Sequence, residues 1–360
     1  MSRNTDKASQ SVFNILKKVV QESEEYCEEL DEIRWVYGDK ENTKFLTEAQ
    51  IVNSYEIMPK KKSAIIAYEH RKFFVTSGFG KETVSPTFLD PFEINPGLFT
   101  LIIHELEVNI ASNVRPREII NEVMSSYKGI CGYTGHDFKE LLKYFETICI
   151  FEILPTCPLV VEDIESFIGL YLCYENTLRV LPFSKDTLEK YMLVFEQKFS
   201  KQFKENILVS LSSTNFKYCY LDLYRCIEML YPFIYLGKFY ENLEPTTLTM
   251  VDLAIKLHDD LAWKPVERNA IKKIIDETPA QFLERLTNAK YIHINEERHC
   301  GDWIYDIRNS IVHLRHNQKS MNLEKVPWDM LVIGMLDLLE YWYNHFSKHL
   351  LDEKDILKPE

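Results

Sequence analysis

No stretch of this chain stays apolar for long enough to cross a bilayer. The longest apolar runs, Leu331 to Leu339 and Ile164 to Tyr174, are interrupted by Asp337 and Glu165 and fall short of the roughly 20 residues a spanning helix needs. The opening segment MSRNTDKASQ lacks the apolar core and small-residue cleavage site of a secretory leader, so the protein is expected to stay in the cytoplasm, without a membrane partner. CxxC pairs are missing as well. The eight cysteines, Cys27, Cys131, Cys149, Cys157, Cys173, Cys219, Cys226 and Cys300, are scattered, several within apolar helical patterns, as expected of reduced thiols packed as small hydrophobes. Positive charge is not in excess. A net charge of -13 argues against nonspecific coating of nucleic acid, which needs many Lys or Arg contacts to phosphates, so any RNA must be gripped locally. The same acidity leaves room for a basic partner or inhibitor. Internal repeats and low-complexity tracts are absent.

What is there suits a folded globular protein. The 360 residues are 46% hydrophobic and 27% charged, enough for one large or two ordinary domains. Apolar positions at Val12, Ile15, Leu16, Val19, Tyr26, Leu30 and Ile33 predict an amphipathic helix over about 10–35. Ile51 to Met58 and Ala64 to Ser77, rich in Ile, Val, Phe and Tyr, predict a β-hairpin across the basic turn Pro59-Lys60-Lys61-Lys62-Ser63. A third strand is expected within Leu98 to Ser112, after a connection punctuated by Pro86, Pro91 and Pro96. Helical patterns follow at about 116–127, 137–153, 161–178 and 186–208.

The polar break Leu211-Ser212-Ser213-Thr214-Asn215 sets the expected boundary between an N-terminal α+β accessory or sensor region, 1–210, and a helical domain, 211–360. Six helices are expected beyond it, at about 216–239, 249–260, 265–276, 279–289, 298–315 and 326–349. Thr249 with Asp252, and Thr278-Pro279-Ala280-Gln281, each read as a capped helix start, the second as a capping box. The fold class is therefore mainly α, a C-terminal helical bundle with an N-terminal α+β region containing a small antiparallel sheet.

Wound as a helix, Gly301 to Leu314 separates its residues into two stripes. Trp303, Ile307, Ile311 and Leu314 are apolar; Asp302, Asp306, Asn309 and His313 form a polar stripe flanked by Arg308. These residue types suit RNA cleavage without a metal. His313 is a candidate base or acid near neutral pH. Arg308 offers a planar fork for phosphate oxygens. Asn309 is placed to orient the imidazole or the phosphate, and Asp306 to hold His313 protonated or to pair with a nearby Arg.

Arg308-Asn309-Ser310-Ile311-Val312-His313 resembles the R-x4-6-H motif of HEPN ribonucleases, including the polar residue after the Arg. Tyr220 to Leu230 is similar to the first long helix of the ApeA-like HEPN branch, in which an acidic residue, here Glu228, faces the site. In that family a long helix follows the motif, as Pro327 to His349 supplies. The resemblance covers only the C-terminal part. It implies a homodimer formed through that part, with two Arg and His sets facing one another. It also implies metal-independent cleavage of RNA, tRNA among the candidates, leaving a 2′,3′-cyclic phosphate, and a role as a toxin or antiviral effector. The N-terminal region would then bind a trigger or an inhibitor. No cofactor and no metal is expected.

Other readings stand beside this one. A solvated helix end explains Arg308 and His313 without catalysis, since both charges suit a helix C-terminus, and Arg225 offers a simple partner for Glu228. A noncatalytic HEPN-like module for dimerisation, or a helical protein binding a small nucleotide, uses the same residues. His293, His299, Cys300 and His316 make an incomplete zinc set, because no C-x2-C pair accompanies them. Gly78 to Thr83 is better read as a turn than as a phosphate loop, and the aromatic runs Tyr218, Tyr220, Tyr224 and Tyr341-Trp342-Tyr343 as core or dimer surface.

Overall fold

The computed structural model describes residues 3–23, 34–80, 85–125, 133–174, 179–242, 248–294, 296–313 and 321–350. The chain is mainly helical, with one five-stranded antiparallel sheet near its N-terminus. It divides into two compact units, Met1–Phe167 and Ile168–Glu360. The division falls well before the polar break at Leu211 to Asn215, because the two helices just ahead of that break pack onto the helices that follow it.

In the first unit the order is α1 (Thr5–Gln21), α2 (Lys40–Glu48), β1 (Gln50–Met58), β2 (Lys61–Tyr68), β3 (Arg71–Ser77), β4 (Leu89–Pro91), α3 (Pro96–Leu106), α4 (Pro116–Ile119), α5 (Phe138–Leu142) and β5 (Ile148–Ile153). The expected hairpin forms, but its turn is only Pro59-Lys60, and the long second strand is two strands joined at Glu69-His70. Lys60 and Glu69 take positive φ at these turns, 70° and 52°. The sheet runs β1-β2-β3-β5-β4. One face, carrying Ala64, Ile66, Phe73, Val75 and Ile150, shares a buried cluster with Val12 and Leu16 of α1, Phe45 of α2 and Leu98 and Ile102 of α3. On the other, Phe74 stacks on Phe151 and on Phe167, with centroids 6.5 and 5.6 Å apart.

Two expectations fail here. The segment from Leu98 is a helix, α3, not a strand. It is apolar on nearly every side, so alternation carries no signal; Asn95, whose side chain accepts from Leu98 N, and Pro96 at the first turn mark the start instead. Gly97 lets α2 approach, since a Cβ there would stand 2.1 Å from the Asn42 carbonyl oxygen. The expected helix over 137–153 is short α5 followed by β5, whose Ile-Cys-Ile-Phe run pairs with both β3 and β4. Of the helix expected over 10–35, α1 supplies the part up to Gln21; Glu22, Ser23, Arg34 and Trp35 are not helical, and 24–33, with Cys27, lie outside the described residues, as do Cys131 and 81–83.

His136 is fully buried, with Arg34 Nη1 3.3 Å from its Nε2. Burial, then the Arg34 charge, push its pKa down from 6.5 to about 4. The folded state refuses a proton that the unfolded chain takes up below pH 6.5, so stability is intact above that pH and falls as pH drops toward 4. The loss amounts to about 2 kcal/mol by pH 5. Urea midpoints followed through Trp35, the sole tryptophan of residues 1–167, are expected to fall between pH 7 and 5, and His136→Gln to flatten the change. An equal fall in the variant would contradict this assignment.

The second unit holds α6 (Ile164–Tyr174, which straddles the division), α7 (Lys185–Glu196), α8 (Lys201–Leu211), α9 (Phe216–Glu241), α10 (Met250–Leu261), α11 (Glu267–Glu277), α12 (Ala280–Ile294), α13 (Cys300–Val312), α14 (Trp328–His345) and α15 (Ser347–Leu350). One expected helix is thus two, α7 and α8, parted at Gln197 to Ser200. Long α9 and α14 form the centre, with α7, α8, α11 and α12 packed on one or other of them and α13 laid against α11. Gly334 brings α14 against α12, where a Cβ would meet Leu286 N at 2.8 Å. Lys190 and Arg285 reach Asp337 at 2.7 and 2.9 Å and tie α7 and α12 to α14. The Thr249 and Asp252 capping box is present. Thr278 serves otherwise: its hydroxyl donates to Ile274 O and accepts from the Trp342 indole. Among the described residues no helix is long and apolar enough to cross a membrane. The six described cysteines are free thiols.

Candidate functional site

The site lies where α13 ends against α9 and the start of α11. Trp303, Ile304 and Ile307 are wholly buried and fix the inner side of α13, while the Tyr220 hydroxyl donates to Ile304 O at 2.6 Å and ties the helix to α9. Ile311 is half-buried, and Leu314 lies outside the described residues. The helix stops at Val312. His313 leaves helical geometry at φ -114°, ψ 111°, still giving its N–H to Asn309 O, with its side chain exposed.

Arg308 is the hub. Its Nη1 lies 3.2 Å from Asn309 Oδ1 and 3.4 Å from His313 Nε2. Since a guanidinium can only donate, that second contact needs the imidazole tautomer with its proton on Nδ1. On the other side, Nη2 stands 3.5 Å from Glu228 Oε1 and 3.8 Å from Glu267 Oε2, and the guanidinium carbon sits 5.9 Å from the Tyr224 ring centre. All but the first exceed the usual 2.7–3.2 Å for an N–H···O bond, so Arg308 is held by loose contacts that an incoming anion can displace. Burial pushes the Glu228 carboxyl up; Arg308 opposes the shift and Glu267 adds to it.

Four of the five residues singled out from sequence, Arg308, Asn309, His313 and Glu228, therefore meet. Asp306 does not join them. It pairs with Arg298 and lies 3.5 Å from Arg268, so of its two expected roles the ion pair is the one seen. Asp302 accepts from Arg268 and Lys272; burial alone would raise its pKa, and these bonds hold it below the usual carboxylate range. The simple partner for Glu228 is also engaged elsewhere, because Arg225 binds Asp222 at 2.6 Å.

The zinc set is not assembled. His293 faces the Asn322 carbonyl and accepts from the Trp303 indole, His299 contacts Asp276 and Gly301 N, and His316 lies outside the described residues. Of the aromatic runs, Tyr220, Tyr224, Trp342 and Tyr343 are core, whereas Tyr218 is exposed.

Sequence reading missed what stands beside Arg308. A cavity of about 540 Å³ opens there between α9, α10 and the turn into α11. Tyr231, Pro232, Ile255, Trp263 and Pro265 give it apolar walls, and Glu228, Glu267, Lys264, His258 and Arg308 line it with charge and polarity. Trp263 is placed by the end of α10: Ala262 turns into the left-handed region at φ 51°, and Trp263 N–H returns to Leu257 O. The one available signal was Trp263-Lys264-Pro265, an aromatic and a cation in a loop between two helices.

The arrangement joins a guanidinium with loosely held donors, an exposed imidazole, an amide and two half-buried carboxylates. It can bind a phosphate and exchange a proton beside it. Comparison with protein-family models, with curated proteins and with solved structures finds no match to the chain.

Proposed function

We propose that the second unit is a metal-independent endoribonuclease of the HEPN type, working as a homodimer. The observation that carries this reading is the contact of Arg308 with both Asn309 and His313, at 3.2 and 3.4 Å, with Glu228 on its other side. The residues of the R-x4-H pattern and the acidic residue of the long helix thus meet at one guanidinium.

In the proposed step, Arg308 takes the non-bridging phosphate oxygens and stabilises the charge that grows on them. An RNA 2′-hydroxyl gives its proton to His313 Nε2 and attacks phosphorus; the bond to the 5′-oxygen breaks, and that oxygen takes a proton from an acid. The products are a 2′,3′-cyclic phosphate and a 5′-hydroxyl. Among the described residues His313 is the one imidazole in contact with Arg308, and a second copy would supply the acid through its own His313. Asn309 orients the imidazole or the phosphate. The biological reading is a cytoplasmic toxin or antiviral effector, with the first unit binding a trigger or inhibitor. The test is incubation of cellular RNA and purified tRNA with the protein in EDTA. Fragments made by the wild type and not by His313→Ala support the reading; a folded wild type that leaves both RNAs intact counts against it.

The cavity beside Arg308 favours one alternative, a small nucleotide bound without cleavage. Such a ligand would raise the melting temperature, and Arg308→Ala would remove the effect.

A further inference from the structure

The geometry points to a nucleobase subsite in the cavity beside Arg308, one that takes an unstacked guanine through its Watson–Crick edge; its place in RNA cleavage rests on the ribonuclease reading above. A volume of about 540 Å³ falls in the range of small-ligand pockets, roughly 300–1,000 Å³. The walls are of two kinds. Trp263 and Tyr231 offer aromatic surface and Ile255 aliphatic surface for the faces of a planar ring. Glu228 and Glu267 both border the cavity, half-buried, with their nearest oxygens 3.5 and 3.8 Å from the Arg308 guanidinium. A carboxylate that accepts two parallel bonds selects a base with two adjacent donors. Guanine has them in N1–H and the exocyclic amine, whereas adenine and cytosine present one amine beside a ring acceptor. Arg308 lines the cavity and also contacts His313, so a base held here would bring its own phosphate to the guanidinium.

A base can enter only from outside a duplex, because within one its Watson–Crick edge is already paired and its faces are stacked. The site therefore suits loops, bulges and single strands.

The test has a binding arm independent of cleavage. Guanosine 5′-monophosphate is titrated against the full chain by thermal shift and tryptophan fluorescence, with adenosine and inosine 5′-monophosphates and inorganic phosphate as comparisons. Guanosine monophosphate is expected to bind about tenfold or more tighter than adenosine monophosphate, with the inosine compound, which lacks the exocyclic amine, in between. Trp263→Ala should weaken binding about 10- to 100-fold, and Trp263→Phe should restore much of it. Glu267→Gln should remove the preference for guanine while leaving the variant folded, as its own melting curve checks. Equal stabilisation by guanosine and adenosine monophosphates or by phosphate alone, or no binding, overturns the subsite. Cleavage that depends on His313 but ignores the base overturns it too and leaves the ribonuclease standing, whereas selective guanine binding by a protein that cuts no RNA would retain the subsite and remove the ribonuclease.

Discussion

Replacing His313 by Ala is expected to slow RNA cleavage by about 10²- to 10⁴-fold, the contribution of a positioned proton acceptor. Because His313 is an exposed residue at the end of α13, the variant should unfold at the wild-type temperature, so the loss would be chemical. Arg308→Ala should cost as much or more, since it removes the proposed phosphate donors and leaves Glu228 and Glu267 without the guanidinium they share. Arg308→Lys should recover little. A point charge cannot reach Asn309, His313 and a phosphate together as the planar fork does. Single-turnover rates separate the two roles: the His313 variant keeps RNA affinity, the Arg308 variant loses it. Near-wild-type rates in both variants would contradict the assignment.

The second large effect is structural. Trp303 is fully buried on α13, and its indole N–H donates to His293 Nδ1 at 2.9 Å. Trp303→Ala opens a cavity and leaves that ring nitrogen without its donor, at a cost of about 3–5 kcal/mol. That is a large part of the about 5–15 kcal/mol that keeps a domain folded, so the second unit should melt roughly 10 °C lower. Trp303→Phe keeps most of the volume and should lose much less. Because α13 carries Arg308 and Asn309, cleavage should fall with the folded fraction. A Trp303→Ala protein with an unchanged melting curve would show that this helix is held by other contacts.

The bundle was legible in the sequence where helices carry both a periodic apolar face and a local start or stop. Helix α9 begins at Asn215, whose side chain caps it, and α10 at the Thr249 box, and both match expectation within a few residues. Helices α7 and α8 read as one because Gln197 to Ser200 contains neither Gly nor Pro; the break lies in the backbone, extended at Gln197 and Ser200 with ψ 155° and 149°. Strand β5 and helix α3 were exchanged for the opposite type because short apolar runs look alike until their neighbours are known. The turn at Glu69-His70 likewise has no Gly or Pro to announce it.

The same distinction governs the site. Arg308, Asn309 and His313 lie within one turn and a half of α13 and its cap, so spacing alone set them side by side. Asp306 shares their stripe, but the Arg298 and Arg268 side chains draw its carboxylate away. Glu267 and Trp263 come from a different helix and a loop, and only the packing of α11 against α9 and α13 brings them to Arg308. As the first residue of α11, Glu267 reads from sequence as an ordinary complement to the helix dipole.

The central claim is that the Arg308 and His313 site cuts RNA through the 2′-hydroxyl. Its most direct test uses an RNA that the wild-type protein cleaves at a mapped bond, remade with a single 2′-deoxynucleotide on the 5′ side of that bond and incubated in EDTA. The account predicts that this one bond survives while neighbouring sites are still cut, and that the unmodified product ends in a 2′,3′-cyclic phosphate. Cutting at the deoxy position, or products ending in a 3′-hydroxyl, would contradict it.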